Sequence, residues 1–151
     1  MSSLNDDGVF GEPVPITTSK ELDFDASFSP DGRSIVYAVR NGGVYVQPFP
    51  GPGRRQQISA SGFDPVWRRD GKEILFAAES SIMSVSVSGS ANSLSFAEPQ
   101  KLFDSIRRSS SSVARSRGLG VSGEGSQIYW VQGTEQTEGL INVMFGFFDN
   151  E

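Results

Sequence analysis

Two strings of twelve residues, "SFSPDGRSIVYA" at 27–38 and "VWRRDGKEILFA" at 66–77, follow one plan. Each sets an Asp-Gly pair between two short apolar runs. Gly accepts positive φ without steric cost and Asp closes the turn with its own side chain, so each string reads as a hairpin. The recurrence constrains the chain more than either copy does. Asp31-Gly32 and Asp70-Gly71 stand 39 residues apart, and a worn third copy, Glu124-Gly125 in "VSGEGSQIYW", follows 54 residues after Asp70. A fixed spacing of this size is the mark of a repeat architecture.

Each turn is followed by an apolar run and then by an alternating one. The alternating runs are "GVYVQPF", "SIMSVSVSG" and "LINVMFGFF", the last with Ile141, Val143, Phe145 and Phe147 on one side. Alternation with period two means strands with two distinct faces. A fourth short strand closes the first two units, around Ile58 and Leu102, and a matching segment around Ile16 precedes the first unit. No amphipathic helix is predicted. Four strands per unit at a spacing near 40 residues predict an all-β chain of three four-stranded antiparallel blades of a β-propeller. The predicted blades are 23–60, 63–104 and 117–148, with a flexible tail at 1–9 and an inserted loop at 104–117. The strand at 12–18, from the same chain or from a partner, is expected to complete the last blade.

The same residues resemble a family. "SFSPDGRSIVYA" and "VWRRDGKEILFAAESSIMSVSV" are similar to the WD40-like, TolB-type propeller repeat of the PD40 kind. "VYVQPFPGPGRRQQIS…DPVWRRDGKEILF" resembles the C-terminal propeller of bacterial serine/threonine protein kinases. The third unit departs from the pattern, with Gly123 and Glu124 where Pro-Asp is expected. The resemblance implies a non-catalytic repeat domain that presents a binding surface, in a parent family often extracytoplasmic. Kinase motifs are absent: there is no Gly-rich phosphate loop with its Lys, no HRD and no DFG.

Composition narrows the chemistry. The 151 residues carry a net charge of −5, which disfavours nucleic acid and anionic membrane as partners. There is no Cys and no His, so thiolate chemistry and every His-dependent triad are excluded. The three lysines, Lys20, Lys72 and Lys101, sit in no Ser-x-x-Lys pattern. The expectation is a chain that is not an enzyme, with no catalytic residue, no cofactor and no metal. "NDDG" at 5–8 lacks the spacing of a calcium loop. "MSSLNDDGVFGEP" has no basic region followed by an apolar stretch, so no signal peptide is expected, and "LINVMFGFF" is too short to span a membrane.

In a propeller the loops leading into the innermost strands line one mouth of the channel. These are "KELDFDA", "ASGFDPV" and "ARSRGLG", which makes Asp23, Asp25, Phe63, Asp64, Arg115 and Arg117 the candidate binding residues. The bland alternative is that Asp25 and Asp64 bond backbone N–H groups. Trp67 is expected to pack in the core, and the pairs Arg54-Arg55, Arg68-Arg69 and Arg107-Arg108 to be turn charges. The structural turn residues are Asp31, Gly32, Asp70, Gly71 and Gly125. The expected function is a module for protein or peptide binding and self-assembly, the sensor or interaction part of a bacterial signalling protein. Its alternatives are a gating or substrate-selecting module of a hydrolase or lyase, or a structural fragment without ligand. Because three blades do not close a ring, the partner is a second copy forming a six-bladed homodimer, or the remainder of a longer propeller.

Overall fold

The computed structural model describes residues 15–17, 21–51, 53–90, 93–104, 118–123, 127–130 and 146–147. Among them there are twelve strands and no helix. The first unit gives β1 (Asp23–Phe28), β2 (Ser34–Val39), β3 (Gly43–Pro48) and β4 (Gln56–Ser59), hydrogen-bonded in sequence order and antiparallel throughout. The β1–β2 turn is built as its residues dictate. Gly32 takes φ 69°, and Asp31 Oδ1 accepts the Ser29 hydroxyl at 2.6 Å and the Arg33 N–H at 3.0 Å. The two hydrogen bonds hold the Asp31 carboxyl below the usual carboxylate range, the Ser29 hydroxyl contributing most. The second turn repeats the design, with Gly71 at φ 72° and the Lys72 N–H donating to Asp70 Oδ1 at 2.9 Å.

The second unit gives β5 (Phe63–Trp67), β6 (Glu73–Ala78), β7 (Ser81–Ser90), β8 (Ser93–Phe96) and β9 (Gln100–Asp104). This sheet has five strands rather than four. β7 is ten residues long and serves two partners: its first half pairs with β9 and its second half with β8. Thus β9 is the expected closing strand around Leu102, while β8 is an added hairpin arm. The third unit gives β10 (Leu119–Val121), β11 (Gln127–Trp130) and β12 (Gly146–Phe147), again in sequence order. Its turn keeps the closing bonds of the first: the Ser122 N–H donates to Gln127 O at 2.9 Å, as the Ser29 N–H does to Ser34 O at 2.8 Å. Gly125, the loop at 105–117 and most of the strand predicted from "LINVMFGFF" lie outside the described residues, as does the tail at 1–9.

The faces follow from the alternation. In β2, Val36 points to one side and Ile35, Tyr37 and Val39 to the other, and all six residues of the strand are buried. Val36, with Val44, Val46 and Ile58 of the first sheet, packs against Trp67, Ile74, Phe76, Val85 and Val87 of the second. Leu75 and Ile82 leave the other face of the second sheet and meet Leu119 and Ile128 of the third. The second sheet is therefore clamped between two apolar layers, and Trp67 is part of one of them. Burial at this scale contributes roughly 1.5–3 kcal/mol per large side chain.

Two expectations are corrected here. The sheets are open antiparallel arrays, and no closed or propeller-like sheet is formed by the described residues. The physical reason is that a repeated four-strand pattern specifies each sheet and its two faces, which face-to-face stacking satisfies without closing a ring. The segment around Ile16 also departs from its predicted place. Residues 15–17 form no strand; Ile16 packs against Ile35, Tyr37 and Val39 of the first sheet, and its carbonyl accepts Gln47 Nε2 at 3.0 Å. In this chain it covers the first sheet instead of completing the third.

Candidate functional site

β1, β5 and β10 hold equivalent places in the three units and lie side by side. Both β1 and β5 carry a bulge at the same repeat position. The register against the neighbouring strand shifts between Phe24 and Ser27, and again between Phe63 and Val66. Each bulge turns an aspartate out of the ladder, Asp25 at φ 53° and Asp64 at φ 51°. Aspartate tolerates this left-handed backbone better than most residues because its short polar side chain bonds locally.

The bond that each aspartate makes joins neighbouring units. Asp25 Oδ2 accepts the Asp64 N–H at 3.3 Å, and Asp64 Oδ2 accepts the Gly118 N–H at 3.1 Å in a buried position. Asp64 is 6 % exposed, so its carboxylate is held where hydrogen bonds count more than at the surface.

Beside this chain of contacts is a cleft of about 190 Å³. Asp25, Ser27 and Asp64 are its polar lining, and Pro65, Val66, Leu119 and Val121 its apolar lining. Tyr129, 47 % exposed, borders it from β11, directly across from Gly120 on β10. The phenol ring lies over Gly120, where any Cβ would collide with it. A glycine here lets an aromatic plane settle across the strand and face the cleft. No Lys or Arg lines the cleft among the described residues.

Of the six residues marked from sequence, Asp25 and Asp64 are brought together and line the cleft. Asp23 opens β1 opposite Val39, and Phe63 opens β5 opposite Ala77; neither lines the cleft. Arg115 and Arg117 lie outside the described residues. Ser27, Val66, Gly120 and Tyr129 escape the sequence reading. A signal for three of them exists: Ser27, Val66 and Gly120 share one repeat position, two residues after Asp25, Asp64 and Gly118.

The basic pairs are occupied elsewhere. Arg55 bonds Glu21 at 3.0 Å and lies 4.5 Å over the Tyr45 ring. Arg68 reaches Glu73 at 2.7 Å and Asp70 at 3.5 Å, and Arg69 donates to the Gly123 carbonyl of the third turn. Arg107 and Arg108 lie outside the described residues.

Fold and site together define an all-β protein of stacked, open antiparallel sheets with a small acidic-and-apolar cleft where three strands meet. No family model matches the chain, and no curated protein matches it. Among solved structures its fold is similar to that of a crystal structure described as a "putative 6-phosphogluconolactonase" from Bacteroides uniformis. Sequence identity is 15 %, the TM-score 0.57, and the match covers 91 % of this chain and 44 % of that chain. The chain thus spans less than half the length of this neighbour, and at such identity the likeness is one of fold alone.

This overturns the family expectation. The structure that matches is of lactonase-like fold and the sheets here are open, so the WD40-like, TolB-type assignment is not sustained. The Asp-Gly turns that suggest it are general hairpin chemistry. A sensor role in a bacterial signalling protein rests on that family and loses its support with it.

Proposed function

We propose that this chain is a substrate-holding module of a larger hydrolase-type protein, with no bond-breaking machinery of its own. The observation that carries the reading is the cleft between β1, β5 and β10, which joins a polar lip to an apolar floor beside an exposed aromatic ring. Small-molecule sites commonly combine these elements. The similarity of fold to an assigned lactonase, whose chain is more than twice as long as the matched part, supports the hydrolase setting. The absence of His and Cys supports a holding rather than a catalytic role.

The charges select the ligand. Two carboxylates and no facing cation repel a phosphate group. The cleft therefore suits a neutral, hydroxyl-bearing ring better than the phosphorylated lactone that the neighbour's name implies. Hydroxyls donate to the carboxylates, and the C–H face of such a ring packs on Tyr129.

Calorimetric titration of the purified chain with gluconolactone and with its 6-phosphate tests this. The expected outcome is binding of the neutral lactone, weaker or absent binding of the phosphate, and no hydrolysis above the buffer rate. Hydrolysis by the chain alone, tighter binding of the phosphate, or binding unchanged in Tyr129→Ala would overturn the proposal.

A further inference from the structure

Asp25, Asp64 and Gly118 each stand six residues before the turn residue of their unit, Asp31, Asp70 and Glu124. They are one position seen three times, and the bonds between them run one way. The carboxylate of the first unit takes the N–H of the second, and the carboxylate of the second takes the N–H of the third. Gly118 donates to this link and has no side chain with which to offer another.

At the other end of the series, Asp25 offers the donor. Its bulge has the same register shift as that of Asp64 and nearly the same φ, so its N–H is presented as Asp64's is. Among the described residues no carboxylate reaches it. We propose that the Asp25 N–H, with the face of β1 around it, is the docking point of a further antiparallel β-unit carrying an aspartate at the matching position.

The molecule itself shows what the filled site looks like, once at Asp64 and once at Gly118. The occupant is a further unit of the same all-β body, because the solved neighbour continues for more than half its length beyond the part matched here. A second copy joined end to end does not reproduce the link. It brings Gly118 opposite Asp25, and a homodimer built that way lacks the carboxylate. The inference depends on the inter-unit contacts and is independent of how the lactone titration turns out.

Two measurements on the whole chain decide it. In amide hydrogen exchange followed residue by residue, the Asp25 N–H exchanges at least about tenfold faster than those of Asp64 and Gly118, which are shielded from water while bonded. In sedimentation velocity, Gly118→Asp supplies the missing carboxylate and self-associates about tenfold more tightly than Gly118→Ala, as one charge-assisted hydrogen bond implies. Equal protection of Asp25 and Asp64, or equal association of the two Gly118 variants, overturns the proposal. If Gly118→Asp fails to fold, hydrogen exchange in the unmodified chain is decisive by itself.

Discussion

Replacing Asp64 separates the two jobs that this residue performs. Its carboxylate accepts the buried Gly118 N–H at 3.1 Å, and its own backbone sits at φ 51°. Asp64→Ala removes the acceptor and leaves a buried donor unsatisfied, which costs about 1–3 kcal/mol. Alanine also strains in the left-handed backbone, by about 1–2 kcal/mol. The expected loss is about 2–5 kcal/mol. Asp64→Gly removes the acceptor and relieves the backbone, so its loss falls near the first contribution alone. Asp64→Asn keeps a side-chain oxygen and a residue that tolerates this φ, and exchanges a charged acceptor for a neutral one, so it loses about 1 kcal/mol. Urea unfolding followed by the fluorescence of Trp67, buried between the first two sheets, reads all three. The predicted order of loss is Ala, then Gly, then Asn. A loss below about 0.5 kcal/mol for Asp64→Ala, or one equal to that of Asp64→Asn, would show that the contact does not hold the units together.

Three further outcomes are expected. Gly71→Val forces a β-branched residue to φ 72° and should destabilise the chain by more than about 1 kcal/mol in the same urea assay; an unchanged midpoint would mean the turn is built otherwise. Phe76→Ala empties the centre of the layer between the first two sheets, where the ring is 0 % exposed, and should cost about 3–5 kcal/mol by the same unfolding curve. Asp31, whose carboxyl is held below its ordinary value by Ser29 and Arg33, stabilises the fold above the ordinary aspartate range and loses that contribution as pH falls through its lowered value. Unfolding measured from about pH 5 down to about pH 2 should therefore be less acid-sensitive in Asp31→Asn, and identical pH slopes would refute the assignment.

Most strands are legible because alternation and turn chemistry are local. "SIVYAVR" announces β2, and the Asp-Gly pairs place the turns that precede β2 and β6. Two things are not local. β8 escapes detection because "NSLSF" is short and polar, and its Leu94 and Phe96 gain meaning only once β7 runs on to Ser90 and they reach the first core layer. How the sheets associate reads wrongly as a ring, since the pattern of faces is the same in a closed and an open stack.

The site divides the same way. Asp25 and Asp64 stand out as side chains at one repeat position. Their partners do not, because the Asp64 and Gly118 donors are backbone N–H groups that every non-proline residue carries. Tyr129 becomes significant only through its register opposite Gly120.

The central placement of the second sheet has a mechanical consequence. Ile74 and Phe76 leave one of its faces and Leu75 and Ile82 the other, and all four are essentially inaccessible to water. Either outer sheet can peel away by exposing one layer, whereas the middle sheet cannot open without exposing two. In a linear stack of this kind stability is set by nearest-neighbour interfaces. Fraying then proceeds from the ends inward, with β6 the last strand to yield, and a force or protease acting on the chain meets a soft rim around a stiff centre.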